Sequence, residues 1–362
     1  MADLARIAGV SSTTISLSLS HSPKIPEETR ARILEIARTH GYHPNPYVSA
    51  LMRCRRRRLA VERPVALALV NGLGRPDAWQ TSHSATRRQV REGALGRARE
   101  LGYQVDEYWL HQDDMSPQRF SEMLRARGVQ GLLMGPMPDE DPPPPLRWEY
   151  FAAVGINVTY KHLPLHVVCS DHHHAITRIV RECHTLGYRR PALVIVRSQR
   201  HYFQGLLESG YFSAVDALPA THRIAPLYVE SLEDRAQFDL AAFRQWLQRT
   251  RPDVLITLDA EFLERILRDL GLRVPADIGL ASLGCAAVGD RFSGICQLGH
   301  KKGAAAMDVL IGLVERNECG LPEHPITTLV EGRWNPGQTL SARNPHAAAK
   351  PRSRPRRSEE RR

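Results

Sequence analysis

The chain has 362 residues, longer than one hydrophobic core usually serves, so two or more domains are expected. Its apolar fraction of 42% is ordinary, and its longest aliphatic runs, such as Val65–Val70, fit buried strands and exclude a membrane span. The net charge of +10 is uneven: residues 1–63 carry eleven Lys/Arg against five Asp/Glu, residues 341–362 carry eight against two, and the stretch between is close to neutral. A basic head beside a neutral body points to a polyanionic partner, with nucleic acid the usual one.

The first 45 residues read as three short helices. Leu4, Ala5 and Ala8 make the inner face of the first, and Gly9 provides a turn. Ser11 is placed to cap the second, whose inner stripe is expected at Ile15 and Leu19 with Val10 in the turn. The third opens at Pro26, with Glu27 and Glu28 at its positive end. It buries Thr29, Ile33, Ile36 and Ala37 and stops at Gly41.

From Val65 the pattern becomes alternating strand and helix. Strands are predicted at Val65–Val70, Gln104–Leu110, Val129–Met134, Val167–Cys169, Ala192–Val196, Val254–Thr257 and Ile278–Ser282. The intervening helices end at Gly102, Gly128, Gly187 and Gly271. Two groups of such units, 64–165 and 166–295, with a crossover through 296–340, describe two doubly wound lobes facing each other across a cleft. Asp141–Pro145 is a stiff surface loop. Residues 341–362, rich in Arg, Pro, Ala and Ser, cannot bury a core and are expected to be disordered.

The domain organisation expected is therefore 1–45 as a helix-turn-helix headpiece, 46–63 as a hinge and basic linker, 64–340 as a two-lobed domain, and 341–362 as a tail. In a helix-turn-helix the second helix enters the major groove, which puts Ser12, Thr13, Thr14, Ser16 and Leu17 at the base edges, with Ser20 beyond them. Hydroxyls can bond phosphates or bases, whereas leucine offers only apolar contact.

Several spaced signatures then agree with one family. Asp3–Ser11, Thr14-Ile15-Ser16, Thr29–Ile33 and Gly41–Asn45 resemble the headpiece of the LacI/GalR repressors. Downstream, Asp171 before Leu186-Gly187-Tyr188, then Val274–Gly279 and Val330–Trp334, resemble that family's sensor domain. The resemblance implies a periplasmic-binding-protein-like α/β sensor behind an all-α headpiece. It further implies a homodimer on a palindromic double-stranded DNA operator and a small effector, a carbohydrate among the candidates, held between the lobes. Val48–Leu51 falls where the family has its hinge helix and its minor-groove leucine, so Asn45, Leu51 and Arg53 join the DNA-facing set, with Arg55–Arg58 as phosphate contacts.

Three departures stand out against that pattern. Leu17 replaces a base-reading arginine common in the family, and Leu207 replaces an effector-binding one. Met1 falls where an apolar residue usually follows a helix-capping threonine, so the first helix lacks its cap, and either the start lies upstream or the headpiece is less stable.

In a two-lobed cleft, ligand groups come from loops after the strand ends, which selects Asn71 and Trp79 on the first lobe and Ser198, Arg200 and Asp259 on the second. No cofactor is expected, and no metal: His172, His173 and His174 are consecutive and point in different directions. The six cysteines lack zinc-type spacing and read as reduced thiols. With no secretory signal, no transmembrane segment and no G-x-S-x-G, H-E-x-x-H or phosphate-loop motif, a cytoplasmic, non-enzymatic regulator is expected. An α/β enzyme or a solute-binding protein using the same cleft is the alternative.

Overall fold

The computed structural model describes residues 2–19, 25–39, 65–81, 85–112, 115–135, 137, 144–157, 163–198, 203, 205–232 and 234–343. The chain divides into two compact units, 1–63 and 64–362. The first contains α1 (Ala2–Ala8), α2 (Ser12–Leu19) and α3 (Glu27–Thr39) around a small core of Leu4, Ala5, Ala8, Ile15, Ile33 and Ala37.

The second unit holds two six-stranded sheets. Sheet one contains β1 (Ala66–Asn71), β2 (Gln104–Trp109), β3 (Val129–Met134), β4 (Ala152–Ile156), β5 (His166–Ser170) and β11 (Thr327–Val330), in the order β11-β5-β4-β3-β1-β2. Sheet two contains β6 (Pro191–Val196), β7 (Leu227–Val229), β8 (Val254–Thr257), β9 (Gly279–Cys285), β10 (Ser293–Cys296) and β12 (Arg333–Asn335), in the order β12-β10-β9-β8-β6-β7. Every pairing is parallel except β10 with β12. Both faces of the inner strands are covered, so β4, β6, β8 and β10 are buried at every position, which explains their unbroken apolar runs.

The helices of this unit are α4 (Ala85–Glu100), α5 (Pro117–Ala126), α6 (His172–Thr185), α7 (Leu206–Asp216), α8 (Leu240–Thr250), α9 (Ala260–Asp269) and α10 (Gly299–Arg316). Three start on an aspartate cap: Asp171, Asp239 and Asp259 accept the amides of His174, Ala242 and Phe262 at 2.8–2.9 Å. Among the described residues no helix is long and apolar enough to cross a membrane.

The structure corrects the sequence reading in two ways. The strand at 167–169, expected in the second lobe, lies in sheet one between β4 and β11. The stretch 296–340, expected as a simple crossover, supplies α10 to the first lobe and one strand to each sheet. Sheet membership is decided by non-local pairing, which chain order does not encode. The chain thus passes between lobes three times, after β5, after β10 and after β11.

Candidate functional site

In the headpiece, Gly9 takes a left-handed φ of +66° and turns α1 into α2. Ser11 Oγ accepts the Thr14 amide at 3.1 Å, capping α2 as its sequence requires. On α2 Ile15 is wholly buried as expected and Ser18 is wholly buried beside it, while the side chain of Leu19 lies outside the described residues. The Ser18 hydroxyl has no hydrogen-bond partner among the described residues.

Ser12 and Thr13 are exposed on α2, and Thr14 and Leu17 are half-exposed. The side chain of Ser16 and the whole of Ser20, Asn45, Leu51, Arg53 and Arg55–Arg58 lie outside the described residues.

In the two-lobed unit, each sheet reverses its strand order beside its first strand: β1 lies between β2 and β3, and β6 between β7 and β8. Ligands of open α/β sheets bind outside the carboxyl ends of strands at such switch points. Asn71 ends β1, Ser198 follows β6 in an exposed turn, and Asp259 follows β8. Arg200 lies outside the described residues.

Asn71 is buried and committed to its own loop. Its Nδ2 donates to the carbonyls of Arg75 (2.7 Å) and Pro76 (3.1 Å), and its Oδ1 accepts the Leu73 amide at 3.0 Å. Its role in this structure is to shape the loop after β1. Trp79 is also buried, and its indole lies against Gly135 just beyond β3, where any Cβ would collide with the ring. Asp259 spends one oxygen on its helix cap. Leu207, in α7, is fully buried in the core of the second lobe, so that position presents no polar group to a ligand.

Two buried polar atoms at these switch points have no hydrogen-bond partner among the described residues: Trp79 Nε1 in the first lobe and Thr257 Oγ1, at the end of β8, in the second. An orphan buried donor or hydroxyl costs about 1–3 kcal/mol, a penalty that a polar ligand can remove.

Sequence reasoning missed a third group, at the passages between lobes. Lys302, in the first turn of α10, is buried to 3% exposure and donates from Nζ to Asn157 Oδ1 and Ser170 Oγ, each at 3.1 Å. Ser170 in turn lies 3.4 Å from Gln297 Oε1, and Gln297 Nε2 donates to the Leu283 carbonyl at 2.7 Å. These contacts join the carboxyl ends of β4 and β5 to β9 of the other lobe. A second tie between lobes runs from Gln89 Nε2 on α4 to the Ala286 carbonyl at 2.8 Å.

Burial brings the Lys302 ammonium down to about 8. Burial, with the Lys302 charge behind it, holds His172 neutral down to about 3, its ring 4.6 Å from that of Phe203. Burial pushes the Cys169 thiol up to about 11. The signal for Lys302 was present in the sequence: it falls on the apolar stripe of α10 with Ala306, Leu310 and Val314 at four-residue spacing. His172 faces inward, and no cluster of three or more metal-capable side chains occurs among the described residues.

Residues 1–45 match the bacterial regulatory proteins of the lacI family. The catabolite repressor/activator of Escherichia coli (strain K12) is 25% identical over 294 residues, spanning 78% of this chain and 81% of that protein. The probable HTH-type transcriptional repressor ExuR of Bacillus subtilis is 45% identical over 49 residues, 14% of this chain and 15% of that protein. Among solved structures, the transcriptional regulator CelR in complex with cellobiose superposes with a TM-score of 0.58 at 17% identity, covering 93% of this chain and 98% of that one. The lac repressor dimer bound to operator and an anti-inducer gives 0.53 at 18% identity, covering 94% and 98%. Residues 1–45 thus form a DNA-binding headpiece of the lacI type, the two doubly wound sheets behind it share the fold of these solved regulators, and with the curated relatives they make the chain a DNA-binding transcription regulator.

Proposed function

We propose that the protein is a cytoplasmic homodimer that binds a palindromic operator and that a small polar effector held between its lobes modulates that binding. The observation that carries the DNA half is the match of residues 1–45 to the lacI family on a headpiece whose α2 exposes Ser12 and Thr13. The effector half is supported by the orphan atoms of Trp79 and Thr257 at the two switch points. A sugar complex is known for CelR, and the lac repressor is seen as a dimer on operator DNA with an anti-inducer, so both partner classes occur on this fold.

In this reading Ser12, Thr13, Thr14, Ser16, Leu17 and Ser20 meet the major groove, and Asn45, Leu51 and Arg53 follow the minor groove and phosphates. Trp79, Ser198, Arg200 and Asp259 face the effector, while Asn71 holds the loop that presents Trp79. A ligand preferring one relative arrangement of the lobes shifts the population toward it, and operator affinity changes by the difference in ligand affinity between the two arrangements.

Gel retardation against DNA upstream of the coding region, at a series of salt concentrations, tests the first half. A specific shift whose log affinity falls linearly with log salt is expected. A flat salt response, or no preference over random DNA, refutes it. Thermal shift against sugars, sugar acids and nucleosides tests the second, because a ligand bound only by the folded state raises its melting temperature.

A further inference from the structure

We infer that the effector is an anion, a carboxylate or a phosphate ester, and that the Lys302 ammonium receives it. The inference rests on the reading of the two-lobed unit as a sensor and assigns the chemistry of its ligand.

Lys302 is buried at the place where the chain passes between the lobes, and both of its acceptors are neutral: the amide oxygen of Asn157 and the hydroxyl of Ser170. Among the described residues no carboxylate forms an ion pair with it. The other titratable groups that act on it electrostatically, Cys169 and His172, are neutral at pH 7, the thiol raised to about 11 and the imidazole lowered to about 3. An ammonium carries three donors, so two acceptors leave one proton to place. Buried charges are ordinarily paired, and an uncompensated one is costly. A methionine or leucine at this point of the apolar stripe would pack beside Ala306 and Leu310 at no electrostatic cost.

Three further features suit an anion. Leu298, the residue before α10, offers no side-chain cap, so no side chain of that residue competes for the first-turn amides. Lys302 itself sits in that first turn. Ser170, while accepting from Lys302, donates to Gln297 Oε1 at 3.4 Å, a long bond whose proton an anion can take over, and Gln297 links the group to the Leu283 carbonyl of the second lobe. An anion drawn to Lys302 therefore acts on the contacts that join the lobes, which is where an effector must act to change their arrangement.

The test uses the full-length protein and matched probes: glucose, glucuronate and glucose 6-phosphate, with inorganic phosphate and succinate as non-sugar anions. Melting temperature and calorimetric binding are measured for wild type and Lys302→Met. At least one anionic probe is expected to stabilise the wild type where glucose does not, and Lys302→Met is expected to lose tenfold or more of that affinity while still binding operator. Affinity should also fall as pH rises through about 8, because the ammonium loses its proton there. Carboxylate and phosphate arms distinguish the two sources of charge.

Equal stabilisation by glucose and its charged counterparts overturns the anion assignment and leaves the sensor reading standing. Unchanged anion affinity in Lys302→Met overturns it as well. No response to any probe in a protein that still binds operator overturns both readings. Should Lys302→Met fail to fold, Ser170→Ala, which keeps the charge and removes one neutral partner, carries the same comparison, with a severalfold change in anion affinity expected and an unchanged affinity refuting the assignment.

Discussion

Gly303 and Gly312 lie on the same helix and should respond to alanine with opposite signs. At Gly303 a Cβ would overlap the Val90 carbonyl oxygen and come within 2.7 Å of the Ala94 amide, both backbone atoms of α4. Backbone cannot rotate away, so α4 and α10 must separate by roughly 1 Å or more along a contact that includes the facing Gly93. Alanine returns up to ~1 kcal/mol of helix propensity, while overpacking a tight core costs typically 1–3 kcal/mol and here falls at the upper end. The expected net loss is about 2 kcal/mol. At Gly312 the nearest atom is Arg316 Nη1 at 3.0 Å, the far end of a flexible side chain, and at Gly96 on α4 nothing lies within 4 Å. Both should gain about 0.5–1 kcal/mol on substitution by alanine. Urea denaturation of the three variants beside wild type reads the midpoints directly. A neutral or stabilised Gly303→Ala, or a Gly312→Ala destabilised as much, would refute the close helix crossing as the cause.

His172 is held neutral in the folded protein down to about 3 but titrates near 6.5 when unfolded, so between those values the unfolded chain binds the extra proton. Stability should therefore fall as pH drops below about 6.5, by at most ~1.4 kcal/mol per pH unit. His172→Phe should flatten that limb and leave the curve above pH 7 parallel to wild type; parallel curves throughout would exclude the histidine as its source. The buried Tyr211 hydroxyl lies 2.7 Å from the Ile224 carbonyl and 2.8 Å from that of Pro191 and donates between them. Tyr211→Phe should cost about 1–2 kcal/mol in thermal or chemical unfolding, and a cost near zero would show that water serves both carbonyls equally well. In the expected hinge after the headpiece, Leu51→Ala should weaken operator binding and abolish DNA bending in a circular-permutation gel while leaving dimerisation near normal. Retained bending would place that leucine in packing alone.

The parts of this fold that could be read from sequence are those set by local chemistry. Ser11, Asp171 and Asp259 cap the helices that follow them, and Gly102, Gly128, Gly187 and Gly271 take the left-handed φ that their places after helices demand. Val129–Met134 and Val254–Thr257 begin and end where their apolar runs do. What escaped depends on distant partners. The strand Ala152–Ile156 is a short run of small and apolar residues, and it becomes a strand because β3 and β5 lie on either side of it. Thr327–Val330 has an alternating half-exposed pattern and joins β5 across more than 150 residues of chain. For the site, the loops were legible but the roles were not: Asn71 stands where a ligand group was expected, yet its own loop uses both ends of its amide. Lys302 was visible as a cation on an apolar stripe, but only the structure reveals that both of its hydrogen-bond acceptors are neutral.

The three passages between lobes also fix an order of assembly. The first lobe starts at β1, yet the helix that covers its sheet, α10, leaves the ribosome only after β6 to β10 of the other lobe, and its outermost strand later still. Until then the apolar face formed by Leu67, Leu133 and Val154 lacks Met307 and Leu310. The half of the protein made first is therefore finished last, and a chain interrupted before residue 299 carries a nearly complete second lobe attached to a first lobe with an uncovered core. No fragment short of β12 therefore holds both sheets in their final form, so neither lobe can be tested alone by truncating the chain before residue 333.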